Sequence, residues 1–299
     1  MENERSRQQW LSILAFAVLV ALVIWLSVFS RPSKKLRIVA CDVGQGDALI
    51  IIHQSTQIVV DGGPGDKILS CLERYLPFWD RQIEMVVLTH PQADHLNGLV
   101  DVYDRYTVDN FVTTPVANST SGFRLLKEAV ENNGSQVILA EDGKKINMGL
   151  IYLDILNPIS TVYDQNYIDD TSVLGAMITS EDLNNFSIVF NLHYYNFDAL
   201  FTGDLGPEKI HQMIARDGIK DVEYLKIPHH GSRNGLTQEL LDASTPEIAV
   251  MSLAADNRYG HPHQEIIEML QKSGIDYYRT DESGDVIVES DGNMFWIVK

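Results

Sequence analysis

Residues 10–29 read WLSILAFAVLVALVIWLSVF, twenty positions without a charge. Wound as a helix this run would be about 30 Å long, the thickness of a hydrocarbon core. Its apolar side chains would surround the axis instead of forming a stripe, which predicts a membrane span and not a core helix. Ser-Arg-Pro-Ser follows Phe29 with no small-residue cleavage site, so the expectation is an uncleaved anchor, with 1–9 as a tail and 30–35 as a basic linker. Past residue 36 the pattern shortens. Residues 36–42 (LRIVACD), 47–53 (DALIIIH) and 57–60 (QIVV) are β-branched runs parted by Gly44, Gly46 and Ser55, which predicts an antiparallel meander. Helical spacing over 67–76, an apolar strand over 83–89 and a helix over 93–103 follow. In the second half, 187–195 and 198–202 predict a hairpin turning at Asn196-Phe197. A helix at 207–215, a strand at 222–227, helices at 237–243 and 263–273, and strands at 247–251 and 286–289 complete the pattern. Two β-rich halves, each flanked by helices, predict one α/β domain over 36–299 with two sheets face to face and helices outside.

Charge sharpens this picture. The chain of 299 residues carries −18, yet residues 1–37 hold six basic residues against Glu2 and Glu4, so the remainder stands at −22. That balance excludes a generic nucleic-acid-binding surface, since phosphate backbones repel carboxylates. Four of the basic residues (Arg31, Lys34, Lys35, Arg37) follow the apolar run and only Arg5 and Arg7 precede it, which by the positive-inside rule places the C-terminal side in the cytoplasm. Cys41 and Cys71 are too few for a disulfide-stapled scaffold and form no CxxC pair, so a thiolate zinc site has no basis.

The chemistry concentrates where predicted strands end. Residues 89–95 (THPQADH) place His90, Asp94 and His95 at a strand end entering a helix, where they can converge on one divalent ion; Asp94 can equally be a helix cap. Three further strands end in VDGG (60–63), FTGD (201–204) and IPHHGS (227–232). Each alone is ordinary turn chemistry, but four polar strand termini in one domain point to a single site beyond the carboxyl ends of the strands.

This order resembles the metallo-β-lactamase superfamily, and within it the hydrolase-like domain of the ComEC DNA-uptake channels. The strings carrying the likeness are CDVGQGDALII (41–51), LTHPQADHLNGL (88–99), FTGD (201–204), LKIPHHGS (225–232) and NRYGHPH (257–263), and it covers essentially 36–299. The resemblance implies an αββα sandwich in which His90, Asp94, His95, Asp204 and His230 hold metal, Asp204 bridging, with Asp61 orienting His90. It implies catalytic roles for Asp61, Asp94 and His229, and substrate contacts from Asn185, Ser232 and His261. Which of His229 and His230 is the ligand stays open, as does a cleft role for Asp42 and Asp47. Gln92 stands where the superfamily has a second histidine, and 183–187 (LNNFS) has no histidine where a third is expected. Both changes fall on one metal position, so one firm Zn²⁺ or Mn²⁺ site and one weak site are expected.

The resemblance thus implies a membrane-anchored, metal-dependent phosphodiesterase or nuclease acting on single-stranded DNA, with its domain outside the cytoplasm in opposition to the basic linker. The alternatives are a lactone, thioester or other ester hydrolase of the same fold, or a degenerate binding module. Lys226, Arg233 and Arg258 are the basic residues beside the motifs, which limits how much DNA can be held.

Overall fold

The computed structural model describes residues 2–29, 33–159, 174–216 and 218–298, so Arg31 of the predicted linker lies outside the described residues. The chain divides into two units, residues 1–34 and 35–299. The first is the helix α1 (Glu2–Phe29), which covers the apolar run. Among the described residues no helix is long and apolar enough to cross a membrane.

The second unit opens with the predicted meander, β1 (Leu36–Ala40), β2 (Leu49–His53) and β3 (Thr56–Val60), all antiparallel. After α2 (Lys67–Tyr75), β4 (Gln82–Val87) joins β3 in parallel. Helix α3 (Ala93–Arg105), β5 (Thr107–Thr113), α4 (Ser121–Asn133) and β6 (Gln136–Leu139) extend that sheet, which β14 (Val286–Ser290) and β15 (Phe295–Val298) finish on the other side of β1. The second sheet holds β7 (Lys145–Met148), β8 (Ile151–Asn157), β9 (Val189–Tyr194), β10 (Phe197–Phe201), β11 (Tyr224–Lys226), β12 (Ile248–Met251) and β13 (Asp276–Arg279). Helices α5 (Pro207–Ile214), α6 (Gln238–Ser244) and α7 (Gln264–Ser273) connect its later strands, and the short α8 (Thr280–Ser283) leads from β13 back to β14 of the first sheet. The hairpin of β9 and β10 turns one residue earlier than predicted, at Tyr195-Asn196, because Tyr195 takes the left-handed φ of 56° and Phe197 returns to the sheet opposite Tyr194.

Strand alternation builds the layers. Ile38, Ala40, Ile51, Ile58, Val60, Met85 and Val87 of the first sheet pack with Phe190, Leu192, Ala199, Phe201, Tyr224 and Val250 of the second. The intervening residues Val39, Ile50, Val59 and Val86 instead meet α2, α3 and α4. Leu200, Leu225, Ala249 and Met251 meet the helices on the far side. Each such buried side chain contributes roughly 1.5–3 kcal/mol, and the period of two directs it to one layer or the other. The α/β class and the face-to-face sheets are therefore as expected.

Two ties fix the site-bearing loops. Gly62 N–H donates to the His95 carbonyl at 2.6 Å and Gly98 N–H to that of Gly63 at 3.0 Å. This packing of the β3 loop on α3 leaves no room for a Cβ on Gly98, which would overlap the carbonyl oxygens of Gly62 and Gly65. Cys41, just past β1, forms a disulfide with Cys71 of α2 across 30 residues, a staple that two cysteines in the sequence did not announce. A crosslink closing a loop of that length stabilises by about 3–4 kcal/mol in the chain-entropy account. Reduction is accordingly expected to lower the denaturation midpoint of the oxidised protein in chemical unfolding; coincident curves with and without reductant would contradict this.

Candidate metal centre

Four strand ends deliver the site. The chain turns directly after β3 at Asp61, whose φ of 58° is left-handed. β4 runs on through Thr89 to His90, and the first turn of α3 carries Asp94 and His95. β10 leads into Thr202-Gly203-Asp204, and β11 into a tight 3-10 turn at Pro228–Gly231 where His229 and His230 have φ of 52° and 54°. Such backbone costs about 1–3 kcal/mol per residue and persists only where surroundings enforce it. Here His229 N–H donates to the Gly203 carbonyl at 3.1 Å, and Ser232 N–H to that of His229 at 2.8 Å.

The hydrogen bonds settle which ring nitrogens face inward. Asp61 Oδ2 accepts from His95 Nδ1 at 2.8 Å. The Ser252 carbonyl accepts from His230 Nδ1 at 2.9 Å. Thr89 Oγ1 donates its one proton to Asp61 Oδ2 at 2.7 Å, so toward His90 Nδ1, 3.1 Å away, it acts as acceptor. Asp61 therefore holds His95 directly and reaches His90, the ring it was expected to orient, through the Thr89 hydroxyl. In all three rings the Nδ1 protons are spent on the protein, and the buried Nε2 atoms have no hydrogen-bond partner. The same is true of Asp204 Oδ1. Asp204 Oδ2 lies 3.4 Å from His95 Nε2 and 3.3 Å from His230 Nε2, and Asp94 Oδ2 lies 3.6 Å from His230 Nε2. Donor atoms of Asp94, His95, Asp204 and His230 all fall within 4.8 Å of one another. The buried, unpaired atoms of His95, His230 and Asp204, joined by the partly exposed Asp94 carboxylate, form a donor set that fits a divalent transition metal. Asp47, Asp61 and His95 also approach one another, but there the His95 atom is the Nδ1 that already donates to Asp61.

The electrostatics agree. Burial disfavours an imidazolium at His95 and His230, yet Asp204 beside both, Asp61 at His95 and Asp47 at His230 outweigh it and hold both well above the usual histidine range. Burial also opposes the Asp204 carboxylate, but those two rings pull it well below its ordinary value. Burial raises Asp94 less than the neighbouring His230 and His95 rings lower it, to about 2. His90 is pushed down to about 3, by burial first and by the His95 charge next, and so is a neutral ring. The centre thus demands positive charge, supplied by protons or by a cation.

The His90 ring centroid lies 4.2 Å from that of His95, the planes tilted by 54°, but His90 stands outside the four-residue group. Beside it the two positions that lack histidine close on each other: Gln92 Nε2 donates to Asn184 Oδ1 at 2.8 Å. A cleft of about 240 Å³ opens here, lined by Asn184, Asn185, Asp204, His229 and Asn234 among others. Asn185 and His229 therefore face one space, with His229 Nε2 3.8 Å from Asp204 Oδ2. His230, buried and bonded to Ser252, takes the inner place, and the partly exposed His229 takes the outer one. His261 meets His229 edge to face at 5.8 Å, its backbone N–H held by Asn257 Oδ1 at 2.9 Å. Ser232 does not join them, since its Oγ accepts from Asn234 N–H at 3.2 Å.

Asp47 and Lys226 were weighed too lightly from sequence. Both are fully buried and form an ion pair, and Asp47 Oδ1 lies 3.4 Å from His230 Nδ1. Lys226 is therefore consumed inside the domain and is not a substrate-facing cation. A lysine placed in an apolar strand, YLKI, was the available signal, because burial of that charge requires a partner.

The two-sheet sandwich and this donor set are those of a metallo-hydrolase fold. A metallo-beta-lactamase superfamily model matches residues 41–255, and the chain belongs to that superfamily. It is 23% identical over 269 residues to ComE operon protein 3 of Bacillus subtilis, covering 82% of this chain and 32% of that protein. It is 25% identical over 275 residues to Recombination protein 2 of Haemophilus influenzae, covering 90% and 31%. Both are ComEC-like, as the strings led one to expect, and the chain spans about a third of the length of each. Among solved structures, the metallo-beta-lactamase fold protein YhfI of Bacillus subtilis superposes with a TM-score of 0.57 at 10% identity, over 85% of this chain and 100% of that one.

Two outcomes are expected. The raised pKa values of His95 and His230 mean that a divalent ion must displace their protons, so its affinity rises with pH across neutrality. Their proton-linked stability in the metal-free protein is present below about pH 6.5, the unfolded value, and is lost as pH rises through the raised folded values. The Tm gain on adding Mn²⁺ should therefore grow from about pH 6 to about pH 8; a pH-independent gain would contradict the assignment. Asp61→Asn should weaken Mn²⁺ binding by about 10- to 100-fold in titration calorimetry, whereas Ser232→Ala should leave it unchanged.

Proposed function

We propose that the chain is a membrane-anchored, metal-dependent hydrolase of phosphodiesters that acts on single-stranded DNA. The observation that carries it is the set of buried, unpartnered donors of His95, Asp204 and His230 joined by Asp94, opening beside a cleft that presents His229 and Asn185. A divalent ion held by Asp94, His95, Asp204 and His230 would supply Lewis acidity and bring the pKa of water close to neutral. The protein's own groups do the rest. Asp94 is the one carboxylate of the set with substantial exposure, placed to hold a proton of the attacking water. His229 and Asn185 donate to the phosphoryl oxygens, and His261, whose pKa burial and the His230 charge lower to about 4, meets substrate as a neutral ring. Arg258 and Tyr259, in contact at 3.0 Å, line a second cleft on the Asp94 side and offer a cation and an aromatic face to one nucleotide. The kinship with ComEC-like proteins supports a nucleic-acid substrate in general terms.

Anchoring rests on the uncharged run of 10–29, over which α1 is helical. A domain outside the cytoplasm is supported by the Cys41–Cys71 disulfide. It is also supported by Lys35 and Arg37, both paired with Glu289, which weakens the case for counting them as topogenic charges.

A second reading, a binding module without turnover, is favoured by the Gln92–Asn184 pair, which satisfies two amides where a second metal would need ligands. The full chain loaded with Mn²⁺ and given single-stranded DNA or a small chromogenic phosphodiester separates these readings. Cleavage of either that is lost in Asp204→Asn is the expected result, with His229→Ala lowering kcat by about 10²-fold at unchanged metal content. Metal retained without cleavage of either substrate would overturn the phosphodiesterase reading in favour of another ester or of simple binding.

A further inference from the structure

The end of the domain opposite the metal centre carries most of its exposed apolar surface. Leu36 opens β1 there, opposite His53, and His53 is opposite Thr56 where β3 begins. Gln57 Nε2 donates to Asp80 Oδ2 at 2.7 Å, which brings the 77–81 loop to the same end. In the second sheet the β7–β8 and β9–β10 turns lie at this end. Asn196 N–H donates to the Gly292 carbonyl at 2.8 Å, joining them to the β14–β15 turn. On or beside these turns stand Phe78, Trp79, Leu150, Tyr152, Tyr195 and Met294, six of the nine large apolar side chains left exposed among the described residues of this unit. Phe78 and Trp79 are 80% and 60% exposed and pack edge to face at 4.9 Å, so the pair is held ready without a partner in the fold. A soluble surface seldom leaves such a patch uncovered.

The surrounding charges point to its occupant. Lys35 and Arg37 pair with Glu289, Arg81 lies over the Tyr106 ring, and Asp80, Glu84, Asp198 and Glu223 add negative charge at the same end, so a polyanion has nothing to grip. Trp, Tyr and Phe on and beside turns suit the boundary of zwitterionic lipid headgroups and acyl chains. The chain also enters at this end: Leu36 follows the apolar run by a linker of six residues, a reach of roughly 20–25 Å.

We propose that this face rests in the interfacial layer of a bilayer, with the metal centre turned away from it, an inference that rests on the reading of residues 10–29 as an anchor. The five-residue strands β1 and β3 then set the centre roughly 15–20 Å from the lipid-facing turns.

The test uses the full chain, one copy per phosphatidylcholine nanodisc, with lipids brominated high or low on the acyl chain. Two variants keep a single tryptophan, Trp79 or Trp10, the other tryptophans being replaced by phenylalanine, and retained metal binding shows each is folded. Expected is quenching of Trp79 by about two-fold or more with the shallow label and less with the deep one, alongside quenching of Trp10. Trp79 unquenched while Trp10 is quenched overturns the proposal and leaves the anchor standing. Neither quenched means that the anchor reading itself has failed, and the proposal with it. In the unmodified chain, amide exchange of residues 77–81 should slow on transfer from detergent to nanodisc; equal rates overturn the proposal independently.

Discussion

A buried carboxylate shared between two imidazoles organises this domain. Asp204 Oδ2 stands 3.4 Å from His95 and 3.3 Å from His230, and neither ring can move, because Asp61 and the Ser252 carbonyl hold their far nitrogens. Burying that carboxylate is unfavourable without positive charge beside it. Around it the chain accepts left-handed backbone at Asp61, His229 and His230 and a glycine contact that excludes any side chain at Gly98. These local costs are borne by three apolar clusters that leave the strands rigid and their ends in register.

Behind the donors lies a second layer that the chemistry depends on. Asp47 sits between Lys226 and His230, and that buried lysine keeps the carboxylate ionised and below its ordinary pKa despite burial. Thr89 joins Asp61 to His90 through one hydroxyl, so a single acid orients rings on two different elements. The Gln92–Asn184 pair does the opposite on the neighbouring position, spending two amides on each other. The result is an asymmetric centre, strong on the side of Asp94, His95 and His230 and weak on the side of His90.

Much of this was legible in the sequence. The meander, the α3 strand-to-helix step and the β9–β10 hairpin follow from period-two runs bounded by glycine and asparagine, and the polar strand ends marked the site before any geometry. The stretch carrying β5, α4 and β6–β8 gives no comparable pattern. β6 and β7 are four residues each and half exposed, so they lack an apolar signature. α4 does carry end signals, a Thr120 cap accepting from Phe123 N–H and Gly134 in left-handed conformation. Side-chain partnerships were also out of reach. Asp61 binding His95, Lys226 turning inward, Ser232 turning toward Asn234 and Cys41 meeting Cys71 each join residues that only the closed sandwich brings together.

The central claim is that one divalent ion is held firmly by Asp94, His95, Asp204 and His230 while the position beside His90 has lost its grip. Metal stoichiometry on the intact protein, loaded with Zn²⁺ or Mn²⁺, passed through a desalting column and measured by emission spectroscopy, tests it most directly. The account predicts one ion retained per chain, and two equally retained ions, or none, would contradict it.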